Sequence, residues 1–299
     1  MSTENGMQKG AELRAMVSRW LPFSCVDGPG NRLVLFLQGC NFRCPGCHNP
    51  HTIRLCDDCG DCLAVCPSGA LTMSEGKVHW QEALCTDCDA CLEACPCSAN
   101  PKTTTMTVAG VLALLRRYGP LLSGITVSGG EATTRLPFVA ALFRAIKEAP
   151  DLAHLSCLLD SNGSLAETGW QRLLPQLDGA MIDLKGWRDS VHLSLTGYGR
   201  ERVLASLRLL ASHGKLAELR LLHVPGRSDF LDAEGQLDRG LAEFLRQLGA
   251  VPIRLNGFRH HGVRGDATRW PEATRDELEQ LASRLREAGL GPVTLPPLI

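Results

Sequence analysis

Three features are scarce in this chain of 299 residues, and each scarcity closes a class of explanation. Net charge is almost absent: Lys and Arg number 31 against 32 Asp and Glu, a formal charge of −1 at pH 7. No global field therefore recruits nucleic acid or an anionic membrane. No apolar run approaches the length of a bilayer span. The first residues, Met1 to Leu13, lack the apolar core of a secretory signal. These absences point to a cytoplasmic protein. Hydrophobic residues at 44% and charged residues at 21% fit a soluble chain with a sizeable core, and the length suits a single α/β barrel.

What is abundant is cysteine, at 14 residues. Many cysteines ordinarily mean a disulfide scaffold, but those are small secreted domains. Here the chain is long and the cysteines crowd its first third, so metal or cluster binding is the better reading. Cys40, Cys44 and Cys47 lie in Gly39-Cys40-Asn41-Phe42-Arg43-Cys44-Pro45-Gly46-Cys47-His48, directly after the apolar run Leu33 to Leu37. Electron-transfer cubane clusters usually take a thiolate on each of their four irons. Three close cysteines without a local fourth leave one iron open to a small molecule, as catalytic metal sites keep one position free.

From about His51 to Thr105 a different pattern intervenes. Cys56-x-x-Cys59-x-x-Cys62-x-x-x-Cys66-Pro67 is followed, at a fixed offset, by Cys85-x-x-Cys88-x-x-Cys91-x-x-x-Cys95-Pro96. Such a repeat means two copies of one structural unit. The spacing is that of bacterial two-cluster ferredoxins, where the fourth cysteine of each run ligates the other cluster. One cluster is expected on Cys56, Cys59, Cys62 and Cys95, the other on Cys85, Cys88, Cys91 and Cys66. The segment has few apolar residues, so bound clusters would supply much of its stability. A pair of zinc knuckles is the alternative. Cys25, Cys97 and Cys157 match no ligand pattern.

After Thr107 strands and helices alternate. With Arg32–Gln38 the strands are Ile125–Ser128, His154–Leu159, Ala180–Ile182, Leu219–Val224 and Val251–Leu255. Helices are expected at Val108–Arg117, Phe138–Lys147, Glu167–Leu177, Arg202–His213, Leu237–Leu248 and Arg275–Ala288. Alternation implies parallel strands with helical crossovers, and six units are two short of a closed barrel. The expected fold is α/β, an open partial (β/α)6 barrel with an inserted ferredoxin-like two-cluster domain; a flat doubly wound sheet is the runner-up. The domains would be 1–50, the insert 51–105, and the remaining barrel 106–299.

Polar motifs fall at the C-terminal ends of these strands: Gly129-Gly130-Glu131, Asp160-Ser161-Asn162-Gly163, Asp183-Leu184-Lys185 and His223. With the three-cysteine loop they should face one mouth. Taken together, Cys40-x-x-x-Cys44-x-x-Cys47 and Ser128-Gly129-Gly130-Glu131 resemble the radical S-adenosylmethionine (SAM) superfamily. Val26-Asp27-Gly28-Pro29-Gly30, Phe36-Leu37-Gln38-Gly39-Cys40, Asp183-Leu184-Lys185 and Val224-Pro225-Gly226 narrow this. They are similar to the glycyl radical enzyme activating enzymes, in the YjjW-like subgroup with a two-cluster insert.

The resemblance implies three 4Fe–4S clusters, one binding SAM and two auxiliary. It implies that the reduced SAM-binding cluster cleaves SAM to methionine and a 5′-deoxyadenosyl radical. That radical would take a hydrogen atom from a backbone glycine of a partner glycyl radical enzyme. Gly46, Cys47 and His48 would line the cofactor. The backbone of Gly129 and Gly130 would meet its methionine amino group. Lys185, within Asp183-Leu184-Lys185, would neutralise its carboxylate, and Asp160 and Asp183 would hold a monovalent cation beside it. His223 would contact the adenosine. Read bare, each Asp is equally a helix N-cap, and His223 a core histidine. Gly46 stands where many superfamily members have an aromatic, and Ser161 where threonine is common. A flavodoxin- or ferredoxin-type donor would supply electrons to a monomer. The loop Arg259 to Arg264 reads as a partner-docking edge or, equally, a solvated basic loop.

Other classes explain less. A pure electron-transfer protein leaves the six-strand domain without a task. A zinc-containing nucleic-acid binder conflicts with eight acidic against three basic residues in the insert. A radical SAM enzyme acting on a small molecule stays open on the residues alone.

Overall fold

The computed structural model describes residues 12–296; Met1 to Ala11, most of the polar start read above, and Pro297 to Ile299 lie outside the described residues. The chain divides into two compact units, Met1–Asn41 with Asn49–Cys157, and Phe42–His48 with Leu158–Ile299. Among the described residues no helix is long and apolar enough to cross a membrane.

The first unit opens with β1 (Arg14–Ser24), antiparallel to β2 (Arg32–Leu37). The cysteine-rich segment follows, holding a hairpin of β3 (Leu71–Ser74) and β4 (Lys77–Trp80) and a short helix α1 (Ala90–Ala94). Then come β5 (Thr104–Thr107), α2 (Val108–Tyr118), β6 (Gly124–Gly129) and α3 (Leu136–Glu148). The strands of this unit run β5-β1-β2-β6, with β5 antiparallel to β1 and β6 parallel to β2. Apolar side chains dictate the centre: Leu33, Val34, Leu35, Ile125 and Val127 are wholly buried, as expected of strands covered on both faces. Thr107 caps α2 by accepting from the Gly110 amide.

One polar residue sits in that core. Arg32 is fully buried. It donates to Thr126 Oγ1 at 2.7 Å, Ser156 Oγ at 2.9 Å, and the carbonyls of Pro29, Ile125 and Ser156 at 3.1, 2.6 and 2.9 Å. Thr126 in turn donates to the Asp27 carbonyl at 2.7 Å. The Val26 to Gly30 motif is thus a turn fastened to the starting ends of β2 and β6.

The second unit takes in β7 (Ser156–Ser161, from Leu158 on), α4 (Glu167–Leu173), β8 (Gly179–Leu184), α5 (Asp189–Thr196) and α6 (Glu201–Ser212). It continues with β9 (Leu216–His223), α7 (Arg239–Leu248), β10 (Ile253–Gly257), α8 (Arg275–Glu287) and β11 (Val293–Thr294). Its strands are all parallel, in the order β7-β8-β9-β10-β11. Thr274 and Glu277 form a reciprocal capping box at the start of α8.

The six strands expected from alternation are β2 and β6 to β10. The sequence did not reveal β1, β5, β11 or the insert hairpin. β1 carries two register shifts that break its alternation of inward and outward residues; β11 has only two residues. Helix α4 ends at Leu173 rather than Leu177, and α5 was not anticipated.

Candidate active site and cysteine-rich insert

In the first unit, the end of β2 is tied to two loops. Gln38, fully buried, donates through Nε2 to the carbonyls of His51 and Arg54 at 2.8 and 2.6 Å. The amides of Gly39 and Cys40 donate to the carbonyls of Thr52 and Ile53, both at 2.9 Å. From the other side, the Gly130 amide meets the Leu37 carbonyl at 2.9 Å and the Glu131 amide the Gly39 carbonyl at 2.8 Å. This close approach explains the glycine pair. Gly129 has φ +129°, and a Cβ there would overlap the Leu37 backbone; a Cβ on Gly130 would come within 2.5 Å of the Gly39 oxygen. Glu131, 2% exposed, accepts from the Thr133 amide and hydroxyl at 3.0 and 2.6 Å.

In the second unit, residues 42–48 are anchored by Phe42. Its ring stacks on Tyr198 at 5.1 Å and meets His192 edge-on at 6.0 Å, while the Arg43 amide donates to the Thr196 carbonyl at 2.9 Å. A turn brings the Cys47 amide to the Cys44 carbonyl at 3.2 Å. Gly46 packs against aromatic rings: a Cβ there would lie 2.9 Å from Phe258 and 3.3 Å from Trp270. An aromatic at position 46 would collide with them, which accounts for the departure noted above. His48 stands 6.3 Å from the Phe258 ring, and burial lowers its basicity.

Within this unit, the motif after β8 acts electrostatically on Cys44. Lys185, just past β8, bonds Asp183 at 2.8 Å. Burial pushes the Cys44 thiol up to about 11, and the Lys185 ammonium works against that rise. Burial alone would lower Lys185, but Asp183 and the Cys44 thiol outweigh it and hold the ammonium well above its usual range. Asp183 feels the burial cost too, yet Lys185 and Arg220 keep its carboxyl below the ordinary range. Leu184, between them, is fully buried. Asp160, at the end of β7, accepts from Arg220 at 2.9 Å, and Arg220 also donates to Glu218 at 2.7 Å. Each carboxylate therefore has a basic partner, and a monovalent ion would compete with Arg220 rather than fill an empty seat. His223, at the end of β9, has a buried Nε2 without a hydrogen bond; its nearest acid is Glu277 at 3.8 Å. Burial lowers its basicity.

Besides Arg220, two residues escaped sequence reasoning. Asp229, 6% exposed, accepts from the amides of Trp187 and Arg188 at 2.7 and 2.5 Å and so holds the loop after Lys185. His192 is fully buried and bonds the Tyr198 carbonyl through Nδ1 at 2.8 Å. Neither belongs to a periodic pattern; only its place just after a motif could have marked Asp229. The loop from Arg259 is not free: the His260 amide donates to the Glu272 carboxylate at 2.6 Å, and His260 Nε2 meets the Trp270 carbonyl at 2.7 Å.

The insert keeps its repeat in the backbone. Asp58, Gly60 and Gly69 are left-handed, and so are Asp87, Asp89 and Ser98 at the matching positions of the second copy. Matching turns close as well, Leu63 on Gly60 and Leu92 on Asp89, at 3.0 and 2.8 Å. Left-handed residues other than glycine are strained and persist only where their surroundings demand it. Cys62, Leu71, Cys91 and Leu92 form a small buried core, flanked by Leu63, Cys66, Val78 and Trp80. Cys66, Cys85, Cys88 and Cys91, the set expected to share a cluster, line one small cavity, of about 10 Å³, together with Trp80, Asp89 and Lys102. Of the expected partner set, Cys62 is buried, Cys56 and Cys95 half-buried and Cys59 exposed. Burial pushes the Cys62 thiol up to about 11. Among the described residues no three His, Cys, Asp or Glu side chains close on one point that could hold a single ion. Cys97 donates to Asp57 at 3.2 Å, Cys157 is wholly buried and Cys25 is exposed.

Comparison with known proteins matches this arrangement. The family model described as "Radical SAM superfamily" matches residues 34–232. A pyruvate formate-lyase-activating enzyme of Staphylococcus aureus is 30% identical over 231 residues, 76% of this chain and 73% of the relative. An indoleacetate decarboxylase activating enzyme of Tractidigestivibacter scatoligenes is 28% identical over 288 residues, 88% of this chain and 87% of the relative. Among solved structures, QueE from Escherichia coli covers 100% of both chains with a TM-score of 0.57 at 14% identity, a likeness of fold alone. With a glycine pair locked onto the cysteine-bearing strand end and a lysine held against the motif thiols, the chain belongs to the radical SAM superfamily, among the activating enzymes of glycyl radical enzymes.

Proposed function

We propose that this chain activates a partner glycyl radical enzyme, using SAM on a 4Fe–4S cluster held by Cys40, Cys44 and Cys47, with two further clusters in the insert. The observation that carries the reading is Lys185. Its ammonium is fixed by Asp183 and acts electrostatically on Cys44 and Cys47, so a carboxylate-bearing ligand beside these thiols meets a preset positive charge. When bound, SAM and the reduced cluster supply a 5′-deoxyadenosyl radical able to take a hydrogen atom from a backbone glycine.

The residues of this chain do the positioning. Asp183 keeps Lys185 charged, and Asp229 holds the loop that follows it. The Nε2 of His223, without a hydrogen bond and 3.8 Å from Glu277, offers a donor or acceptor to the adenosine portion. Gly129 and Gly130 leave their backbone bare of side chains on the cysteine-bearing strand end. Burial pushes the Cys44 thiol up to about 11, so a bound iron would have to supply the charge that favours its thiolate.

The cavity wall supports the insert's role. A single zinc would draw its thiolates to about 2.3 Å of one point, whereas a cubane takes one thiolate on each of four irons, which suits thiols spread around a wall. The insert clusters would receive electrons from a flavodoxin- or ferredoxin-type donor.

The test is anaerobic. Reconstituted protein is incubated with SAM, a low-potential reductant and candidate glycyl radical enzymes, and both 5′-deoxyadenosine and the glycyl radical signal are measured. Both should appear, and neither should form with Cys44→Ala. 5′-Deoxyadenosine without any glycyl radical, across a full set of candidates, would favour a small-molecule substrate instead.

A further inference from the structure

The two cysteine runs of the insert differ in the charge that stands beside them. Lys102 and Asp89 both line the cavity of Cys66, Cys85, Cys88 and Cys91. Its Nζ lies 2.5 Å from Asp89 and 3.6 Å from Asp87. The lysine side chain is 14% exposed, the two aspartates 56% and 85%. The ammonium is the buried end of this group and the carboxylates are its wet end. The Cys85 thiol also donates to Asp87 at 3.8 Å, but water screens these exposed carboxylates far more than the ammonium, so Lys102 brings the less screened charge to these thiols.

Beside the other run the polarity is reversed. Asp58, at the position matching Asp87, pairs with Lys77 at 2.8 Å, but here the acid is 19% exposed and the lysine 68%. The Asp58 carboxylate also accepts from the Val78 amide at 3.0 Å. Asp57 accepts from the Cys97 thiol at 3.2 Å, and Arg54, the remaining basic residue of the insert, is exposed. The charge nearest the thiols of this run is negative.

We propose that the two insert clusters are unequal in reduction potential, and that Lys102 makes the cluster on Cys66, Cys85, Cys88 and Cys91 the easier one to reduce. The inference rests on the two-cluster reading of the insert. The step is a one-electron reduction of the cluster by an external low-potential reductant, with no proton taken up and no bond broken. The added electron increases the cluster's negative charge, so a buried ammonium favours the reduced form. The cluster beside Asp58 feels the opposite bias. An electron entering the insert rests on the Lys102 side.

The experiment is a potentiometric titration of the reconstituted full chain, followed by the electron paramagnetic resonance signals of its clusters, with iron counted first. Wild type should show two distinct auxiliary midpoints. Lys102→Gln should lower the higher one, shifting the reduced-to-oxidised ratio at fixed potential at least tenfold, about 59 mV for a one-electron couple. Lys102→Arg should leave it in place. An unchanged midpoint in Lys102→Gln at wild-type iron content, or equal shifts in both variants, would overturn the assignment. So would a single shared auxiliary midpoint in the wild type. If Lys102→Gln fails to keep its iron, Asp89→Asn reads the same field from the other side. It should raise that midpoint, and a fall or no change counts against Lys102. A wild-type count near four irons takes down the two-cluster reading itself and this proposal with it, whereas about twelve irons with equal potentials removes the proposal alone.

Discussion

The cavity that gathers Cys66 with Cys85, Cys88 and Cys91 makes the insert's ligand pairing testable by counting iron. Three cubanes would bring about twelve irons per chain. Replacing Cys66 or Cys88 by serine should each remove one cluster and leave about eight. In the crossed pairing these two residues serve the same cluster, so Cys66→Ser with Cys88→Ser should still leave about eight. Cys66→Ser with Cys59→Ser strikes both clusters and should leave about four. A pairing in which each run keeps its own fourth cysteine reverses the two double variants. The assay is iron and sulfide analysis after anaerobic reconstitution, with Mössbauer spectra to establish that the remaining iron is cubane. The count stays readable only if one cluster suffices to hold the shared core. Leu71 and Leu92 are buried there, each stabilising by about 1.5–3 kcal/mol. About eight irons in the Cys59/Cys66 pair, with about four in the Cys66/Cys88 pair, would refute the crossed assignment.

Three further outcomes follow from the geometry. Cys44→Ala should abolish SAM cleavage and lower iron by about four while the insert clusters persist; surviving cleavage would contradict the catalytic assignment. Lys185→Gln breaks a pair whose side chains are 18% and 28% exposed. The cost should be about 1–3 kcal/mol, less than for a wholly buried pair, because Arg220 still faces Asp183. Lys185 is raised above its unfolded value, so its contribution is fully present below about pH 10 and lost only as pH rises through the folded value. The melting-temperature gap between wild type and variant should therefore be flat from about pH 6 to 9, and a gap that changes within that window would count against the pair. Arg32→Met strands the carbonyls of Pro29, Ile125 and Ser156 without their donor. At about 1–3 kcal/mol each the expected loss in urea unfolding is about 4 kcal/mol, and a loss below about 1 kcal/mol would show that water replaces the guanidinium.

Local chemistry made some of this legible from sequence. Leu33 to Leu37 reads as a strand because an apolar run that short can be buried on both faces and little else. The insert's repeat was visible because its left-handed turns fall beside cysteines that recur at one offset. Arg32 was invisible, since a buried guanidinium is defined by carbonyls on three separated segments and leaves no local trace. The partners of Asp160 and Asp183 were hidden for the same reason: Arg220 and Asp183 become neighbours only through the register of β8 and β9. The glycine pair was read as a bed for a ligand, and the structure adds a packing reason that no motif states, the approach of Gly39 and Leu37. At Gly46 the sequence recorded a missing aromatic, while the rings that occupy the space, Phe258 and Trp270, come from more than two hundred residues downstream.

The membership of residues 42–48 in the second unit has a consequence for how the protein is made. These residues leave the ribosome early, yet Tyr198 and His192, which hold Phe42, follow only after the whole insert and the rest of the first unit. At about 5–20 residues per second the wait is on the order of ten seconds. Throughout it the loop of Cys44 and Cys47 lacks the rings that hold Phe42. Loading iron at that loop before Tyr198 is synthesised would place a cluster on an unanchored segment. An anchored Cys44–Cys47 loop therefore requires synthesis to have passed Tyr198, about two thirds of the way along the chain.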